Sequence, residues 1–270
     1  MKIDEHLVTL LRNSSLEVEQ YNALRFALEA WSGGAPRVVA VTSPAPGDGK
    51  TTTAINLAGV LAHRHEGRVL LIDVDLRRPS VAAFLGLDNK AGLPGLADAI
   101  LDPDLELERV VTHLPTFNLW ILPSGRLSEE PFELLRRPRA KEVVQEARER
   151  YDFVVLDTPP LLVVPDSRVV ETWVDAFLLV VAAHRTPRKL VEEALNLLNP
   201  SKLIGLVFNG DDHPLSRNYG SYYGYGRSSS RPVVRNEGND HGRSGDRKLR
   251  PDAIDAALQQ SGPKFSLPRP

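Results

Sequence analysis

One segment, VVAVTSPAPGDGKTTTAINLA at Val38–Ala58, constrains the chain more than any other. A β-prone run enters a turn holding Pro46, Gly47 and Gly49, then Gly-Lys-Thr, then a stretch in which Ala54, Leu57, Ala58 and Leu61 fall at i, i+3, i+4 and i+7. That spacing forms one apolar helical stripe. Glycines at 47 and 49 let the intervening backbone turn its N–H groups inward as an anion cradle. The helix starting near Lys50 adds its positive N-terminal end. Lys50 is placed to reach β- and γ-phosphates, and Thr51 to offer its hydroxyl to Mg²⁺. The general GxxxxGK[ST] pattern has a glycine where this chain has Pro44. A glycine-rich turn without chemistry is the competing reading, and the strand before and helix after weigh against it.

Further short runs recur: Val69–Asp73, Asn118–Leu122, Phe153–Asp157, Phe177–Ala182 and Leu203–Phe208. Most are almost continuous in Val, Ile and Leu, as in strands buried on both faces of a parallel sheet. Between them lie helical spacings such as Leu190, Ala194, Leu197 and Leu198. The alternation predicts an α/β fold, a doubly wound and mostly parallel sheet with helices on both faces. A buried core accounts for all these apolar positions. With 270 residues, 42% hydrophobic and 25% charged, the chain can bury one such core with an appendage.

The absence of Cys excludes a disulfide scaffold, a thiolate zinc site and a thiol nucleophile. A formal charge of -2 makes no case for nucleic-acid binding. The longest apolar run, Ala176–Ala183, is far short of the roughly 18–20 residues of a membrane span. The N-terminus, MKIDEHLVTLLRNS, has charges where a signal peptide is apolar. The expected compartment is the cytoplasm.

Three regions follow from composition. Residues 1–35 form a helical segment with Tyr21, Leu24, Leu28 and Trp31 on one face, and residues 36–210 the α/β domain. Residues 211–270 open with DDHPLSRNYGSYYGYGRSSSRP, rich in Gly, Ser, Tyr and Arg and poor in aliphatics. Such a stretch cannot bury enough surface to offset the entropy of ordering it, so a flexible tail is expected, with a short helix at Ile254–Leu258.

Three carboxylates stand at predicted strand ends: Asp73 and Asp75 in VLLIDVDLRRPS, and Asp157 in YDFVVLDTPP. Ligands of open α/β sheets sit at that edge. A lone Asp there commonly ends a strand or caps a helix. Three together beside the Lys50 loop point to an Mg²⁺ shell and catalysis. Arg77 and Arg78 admit three readings: phosphate contact, contact with a neighbouring subunit, or a solvated turn.

With these segments in hand, the sequence resembles the bacterial tyrosine kinases (BY-kinases) of capsule and exopolysaccharide export, CpsD/CapB type, over about Glu17–Tyr225. The resemblance also rests on EPFELL at Glu130–Leu135, PDSRVVETWVDAFLLVVAAHRT at Pro165–Thr186 and GLVFNG at Gly205–Gly210. In that family the first loop glycine is often missing and Pro at the position of Pro46 is usual. The resemblance implies transfer of phosphate from ATP to protein tyrosine, with a C-terminal tyrosine cluster as acceptor; here that is Tyr219, Tyr222, Tyr223 and Tyr225. It implies Lys50, Asp73 and Asp75 as catalytic residues, with Asp73 the candidate base. It implies an ATP site made of Pro46, Gly47, Asp48, Gly49, Lys50, Thr51, Thr52 and Asn209, and Mg²⁺ at Thr51, Asp73 and Asp157. Spacing alone does not divide roles among the carboxylates, and Asn209 reads equally as an adenine contact or a polar strand end.

The resemblance further implies a membrane-embedded chain-length regulator as activator, which recruits the kinase to the inner face of the plasma membrane. It also implies an opposing tyrosine phosphatase and a ring of subunits. The ring motif ExxRxxR appears here as Glu19, Asn22 and Arg25, on one helical face but with Asn at the first Arg position. Asn cannot make the forked ion pair of Arg, so a weaker ring is expected. The main alternative is a partitioning or division-site ATPase switch. Those proteins usually carry a second Lys early in the loop, where this chain has Ala45, and lack a terminal tyrosine cluster.

Overall fold

The computed structural model describes residues 3–12, 14–31, 38–64, 67–87 and 92–211. The tyrosine cluster and Ile254–Leu258 lie outside them. The strands are β1 (Val38–Thr42), β2 (Val69–Asp73), β3 (Thr112–Leu114), β4 (Leu119–Leu122), β5 (Phe153–Asp157), β6 (Ala176–Ala182) and β7 (Leu203–Asn209). They form one sheet in the order β3-β4-β2-β5-β1-β6-β7, parallel except for the β3–β4 pair. All residues of β1, β2, β5 and β6 are buried, which is why their sequences run apolar without alternation.

Helices cover both faces. On one side α1 (Val8–Leu11), α2 (Leu16–Glu29), α3 (Lys50–Arg64) and α4 (Val81–Phe84) surround Val39, Val41, Leu71 and Val155. On the other, α5 (Leu96–Leu101), α6 (Leu107–Val110), α7 (Pro131–Leu135), α8 (Pro138–Arg150), α9 (Asp166–Val170) and α10 (Arg188–Leu197) enclose Ala40, Leu70, Ile72 and Leu156. The doubly wound α/β expectation therefore describes the molecule.

Two local expectations need correction, and one short strand has no expectation to match. Asn118 is not in a strand: it takes φ 50 after the turn Pro115–Phe117, and β4 begins at Leu119. The β3 edge, only Thr-His-Leu, carries no strand-length apolar run and went unread. Burial does not account for every apolar position either, since Leu197, Leu206 and Phe208 are exposed. The last two lie on β7, an edge strand whose burial alternates instead of running continuously.

The N-terminal segment is bolted to α3. Buried Asn56 accepts from Thr9 N through Oδ1 (2.9 Å) and from Thr9 Oγ1 through its carbonyl (2.9 Å). Its Nδ2 donates to His6 O and Thr52 O, each at 2.9 Å. Leu28 is fully buried, and Tyr21, Leu24 and Trp31 pack around the same cluster.

Candidate active site

The site lies beyond the carboxyl ends of β1, β2 and β5, where the turn from β1 to α3 meets two acidic strand ends. The turn takes its shape from left-handed glycines, Gly47 at φ 84 and Gly49 at φ 95. Gly49 is required twice over, because a Cβ there would lie 1.9 Å from Asn209 Nδ2. Pro46 precedes the first of these glycines, and Thr51 and Thr52 occupy the first turn of α3. The Asp48 carboxylate bridges the loop and the end of β6. It accepts from Ala45 N (2.9 Å) and Thr186 Oγ1 (2.6 Å).

Lys50 Nζ lies 2.9 Å from Asp75 Oδ2 and 3.7 Å from Asp157 Oδ1. Thr51 Oγ1 donates to Asp157 Oδ2 at 2.6 Å and sits 3.1 Å from Ser80 Oγ. Parallel pairing of β2 and β5 sets Asp73 opposite Asp157. Asp73 is held by three backbone N–H groups, Asp75 to Oδ1 and Ser80 and Val81 to Oδ2. Asp75 Oδ1 accepts from Arg78 N at 3.0 Å.

Burial dominates the titration of these groups. It raises Asp73 to about 8, reinforced by the charge of Asp157. It raises Asp157 to about 6 against the opposing pull of Lys50 and the Thr51 hydroxyl. Burial alone would lower Lys50, but the charges of Asp157 and Asp75 prevail and hold it above its ordinary value.

The donor set suits Mg²⁺. Asp157 Oδ1 is buried without a hydrogen-bond partner, and the hydroxyl of Thr51 and the carboxylates of Asp73 and Asp75 stand nearby; all are hard oxygen donors. Among the described residues no group of three His, Asp or Glu side chains forms a ready-made metal cage. Mg²⁺ held by one or two carboxylates, phosphate oxygens and waters does not need one.

The structure thus brings together Lys50, Thr51, Asp73, Asp75 and Asp157, with Asn209 on the opposite flank of the loop, where Nδ2 donates to Asp48 O at 3.1 Å. Glu19 and Arg25 are on α2, apart from this cluster. Glu19 is exposed, whereas Asn22 and Arg25 are buried, and Arg25 pairs with Glu29 at 2.7 Å. One of the two arginines has a partner inside the chain, which none of the three readings named. Arg77 is engaged in a fork with the fully buried Asp166 (3.0 and 3.2 Å), while the Arg78 side chain is exposed. Sequence reasoning missed Ser80, Thr186 and Asp166. Ser80 was within reach, since it closes the same DVDLRRPS run; the other two lie far along the chain from their partners.

Fold and loop together define a P-loop NTPase, and residues 36–185 match the protein family described as AAA domain. The chain is 35% identical over 226 residues to tyrosine-protein kinase YwqD of Bacillus subtilis (strain 168), covering 83% of this chain and 93% of YwqD. It is 34% identical over 211 residues to the putative tyrosine-protein kinase EpsB of Ralstonia nicotianae, covering 77% of this chain but 27% of EpsB. The kinase domain of Escherichia coli tyrosine kinase ETK superposes with a TM-score of 0.70 at 29% identity, over 78% of this chain and 82% of that one. The chain belongs to the bacterial tyrosine kinases of capsule and exopolysaccharide biosynthesis.

Proposed function

We propose that the chain transfers the γ-phosphoryl group of ATP to Tyr219, Tyr222, Tyr223 and Tyr225 of a neighbouring copy, and that this modification regulates polysaccharide synthesis or export. The observation that carries the reading is the meeting of Lys50 and Thr51 with Asp75 and Asp157 at the mouth of the glycine turn. Phosphoryl transfer asks a protein mainly for placement and charge neutralisation. The inward N–H groups of residues 47–52 hold phosphate oxygens, and Lys50 exchanges Asp75 for phosphate when nucleotide arrives. Mg²⁺, with Thr51, Asp157 and Asp73 as its candidate protein ligands, would neutralise phosphate charge. A tyrosine hydroxyl, with pKa near 10, must lose its proton as it attacks. Asp73, set opposite Asp157 at the end of β2, is the candidate acceptor in its ionised form.

The same reading includes a subunit ring using Glu19 and Arg25, a tyrosine phosphatase that reverses the modification, and a membrane-embedded regulator that activates the kinase and draws it to the inner face of the membrane. No described helix is long and apolar enough to cross a membrane. The test is purified protein with ATP and Mg²⁺, with and without the cytoplasmic segment of the regulator, followed by phosphotyrosine detection and mass spectrometry of the tail. Phosphate on the four tyrosines, lost in Lys50→Met, is the expected result. No signal from wild type in either condition, or an undiminished one in Lys50→Met, would overturn it. A nucleotide-dependent dimer with unmodified tyrosines would favour the switch ATPase instead.

A further inference from the structure

The glycine turn is tied to the far side of the sheet by a closed ring of hydrogen bonds that phosphate binding does not itself require. Asp48, 5% exposed, accepts from Ala45 N at one oxygen and from Thr186 Oγ1 at the other. Thr186 Oγ1 accepts from Ala182 N (3.1 Å), and Thr186 N donates to Ala182 O (3.0 Å). Ala183 N donates to Asn209 O (2.8 Å), and Asn209 Nδ2 returns to Asp48 O (3.1 Å). The ring joins the loop after β1 to the ends of β6 and β7.

Two physical points give this ring a purpose. A carboxylate inside an anion-binding loop would repel phosphate if it faced the cradle; the Thr186 hydroxyl gives it a partner on the other side. The sheet order also places the two ends of a nucleotide. β1 lies between β5, with Asp157 and then β2 beyond it, which ends at Asp73 just before Asp75, and β6, with Asn209 beyond it on β7. Phosphates directed to the acidic side leave the nucleoside over the β6–β7 side.

We propose that Thr186 is a positioning residue for nucleotide binding: through Asp48 it sets the spacing between the phosphate-binding loop and Asn209, so that base and phosphate are gripped by one rigid unit. This rests on the reading that the loop binds ATP. Removing the hydroxyl leaves Asp48 Oδ1 unpaired in a buried place, while the Ala45 N–Asp48 bond keeps the loop itself in shape. The loss should therefore fall on ligands that carry a nucleoside and spare those that are phosphate alone.

The experiment is calorimetric titration of the full chain with ADP and with inorganic tripolyphosphate, both with Mg²⁺, for wild type, Thr186→Val, Thr186→Ala and Thr186→Ser. The dissociation constant for ADP is expected to rise about tenfold in Thr186→Val and Thr186→Ala. It should return to within about twofold of wild type in Thr186→Ser, which restores the hydroxyl. Tripolyphosphate affinity should stay within about twofold throughout, and KM for ATP should rise with little change in kcat. Unchanged ADP affinity in both the Val and Ala variants would overturn the proposal. So would a tripolyphosphate loss as large as the ADP loss, because Thr186 would then only support the loop. Wild type that binds no ADP would overturn the nucleotide reading itself.

Discussion

Asp73 and Asp157 occupy matching positions on neighbouring parallel strands, and both are buried, with 1% and 0% exposure. Two carboxylates in that arrangement cannot both ionise cheaply, so the empty-handed enzyme holds on to protons that its unfolded chain releases.

The stability of nucleotide-free protein should therefore fall as the solution becomes more alkaline. A carboxyl whose folded pKa is raised contributes its full stabilisation below its unfolded value near 3.8 and loses it as pH rises through the folded one. The window here runs from about 4 up to about 6 for Asp157 and about 8 for Asp73. Melting temperatures measured across this range, without Mg²⁺ or nucleotide, should decline with pH. The decline should be shallower in Asp157→Asn and shallower again with saturating Mg²⁺ and ADP. A flat or rising profile in the wild type would contradict the burial argument.

Lys50→Met removes the cation that compensates three acids. Phosphotyrosine formation should drop at least about a hundredfold. The fold should also lose about 3 kcal/mol near neutral pH, because breaking a buried pair leaves charge uncompensated. Urea unfolding at about pH 7 and again at about pH 5 checks this, and the loss should shrink at the lower pH, where Asp157 is protonated as well as Asp73.

At Gly49 an Ala would meet two obstacles, a left-handed backbone and the Asn209 amide. Gly49→Ala should cost about 1–3 kcal/mol of stability from the backbone alone and abolish measurable ADP binding. At Gly47 the added carbon meets nothing within 4 Å, so Gly47→Ala should show the backbone cost without the clash. Comparing the two in urea unfolding separates strain from crowding.

Asn56→Ala strips the polar joint between the N-terminal segment and α3. The expected cost is about 2 kcal/mol, since Thr9 N and His6 O lose their partners while the Thr9 hydroxyl keeps the backbone carbonyl of residue 56. Protease sensitivity of the first thirty or so residues should rise with it. Unfolding that matches wild type would show that the joint adds nothing.

Much of this molecule is legible in its sequence. Runs such as VVAVT and VLLID announce doubly buried strands because nothing polar interrupts them, and the glycine turn declares itself through Gly47, Gly49 and Lys50. Strand ends told where Asp73 and Asp157 would project. What stayed hidden depends on contacts between distant parts of the chain. Thr186 is 138 residues from Asp48, and Asp166 is 89 from Arg77, and no local pattern marks either pairing. The turn of the Asp48 carboxylate toward Thr186 was hidden for the same reason. Edge position was hidden too: LIGLVFN reads like a buried strand, yet only one side of it is covered.

Because α3 starts at Lys50 and carries Asn56 and Gly59 beneath α1, only about two helical turns separate the phosphate grip from the N-terminal helices. A Cβ on Gly59 would come 2.5 Å from Thr9 Oγ1, so the side chains of α1 ride directly on the α3 backbone. Whatever tugs on the first thirty residues pulls on a rod whose other end is the lysine.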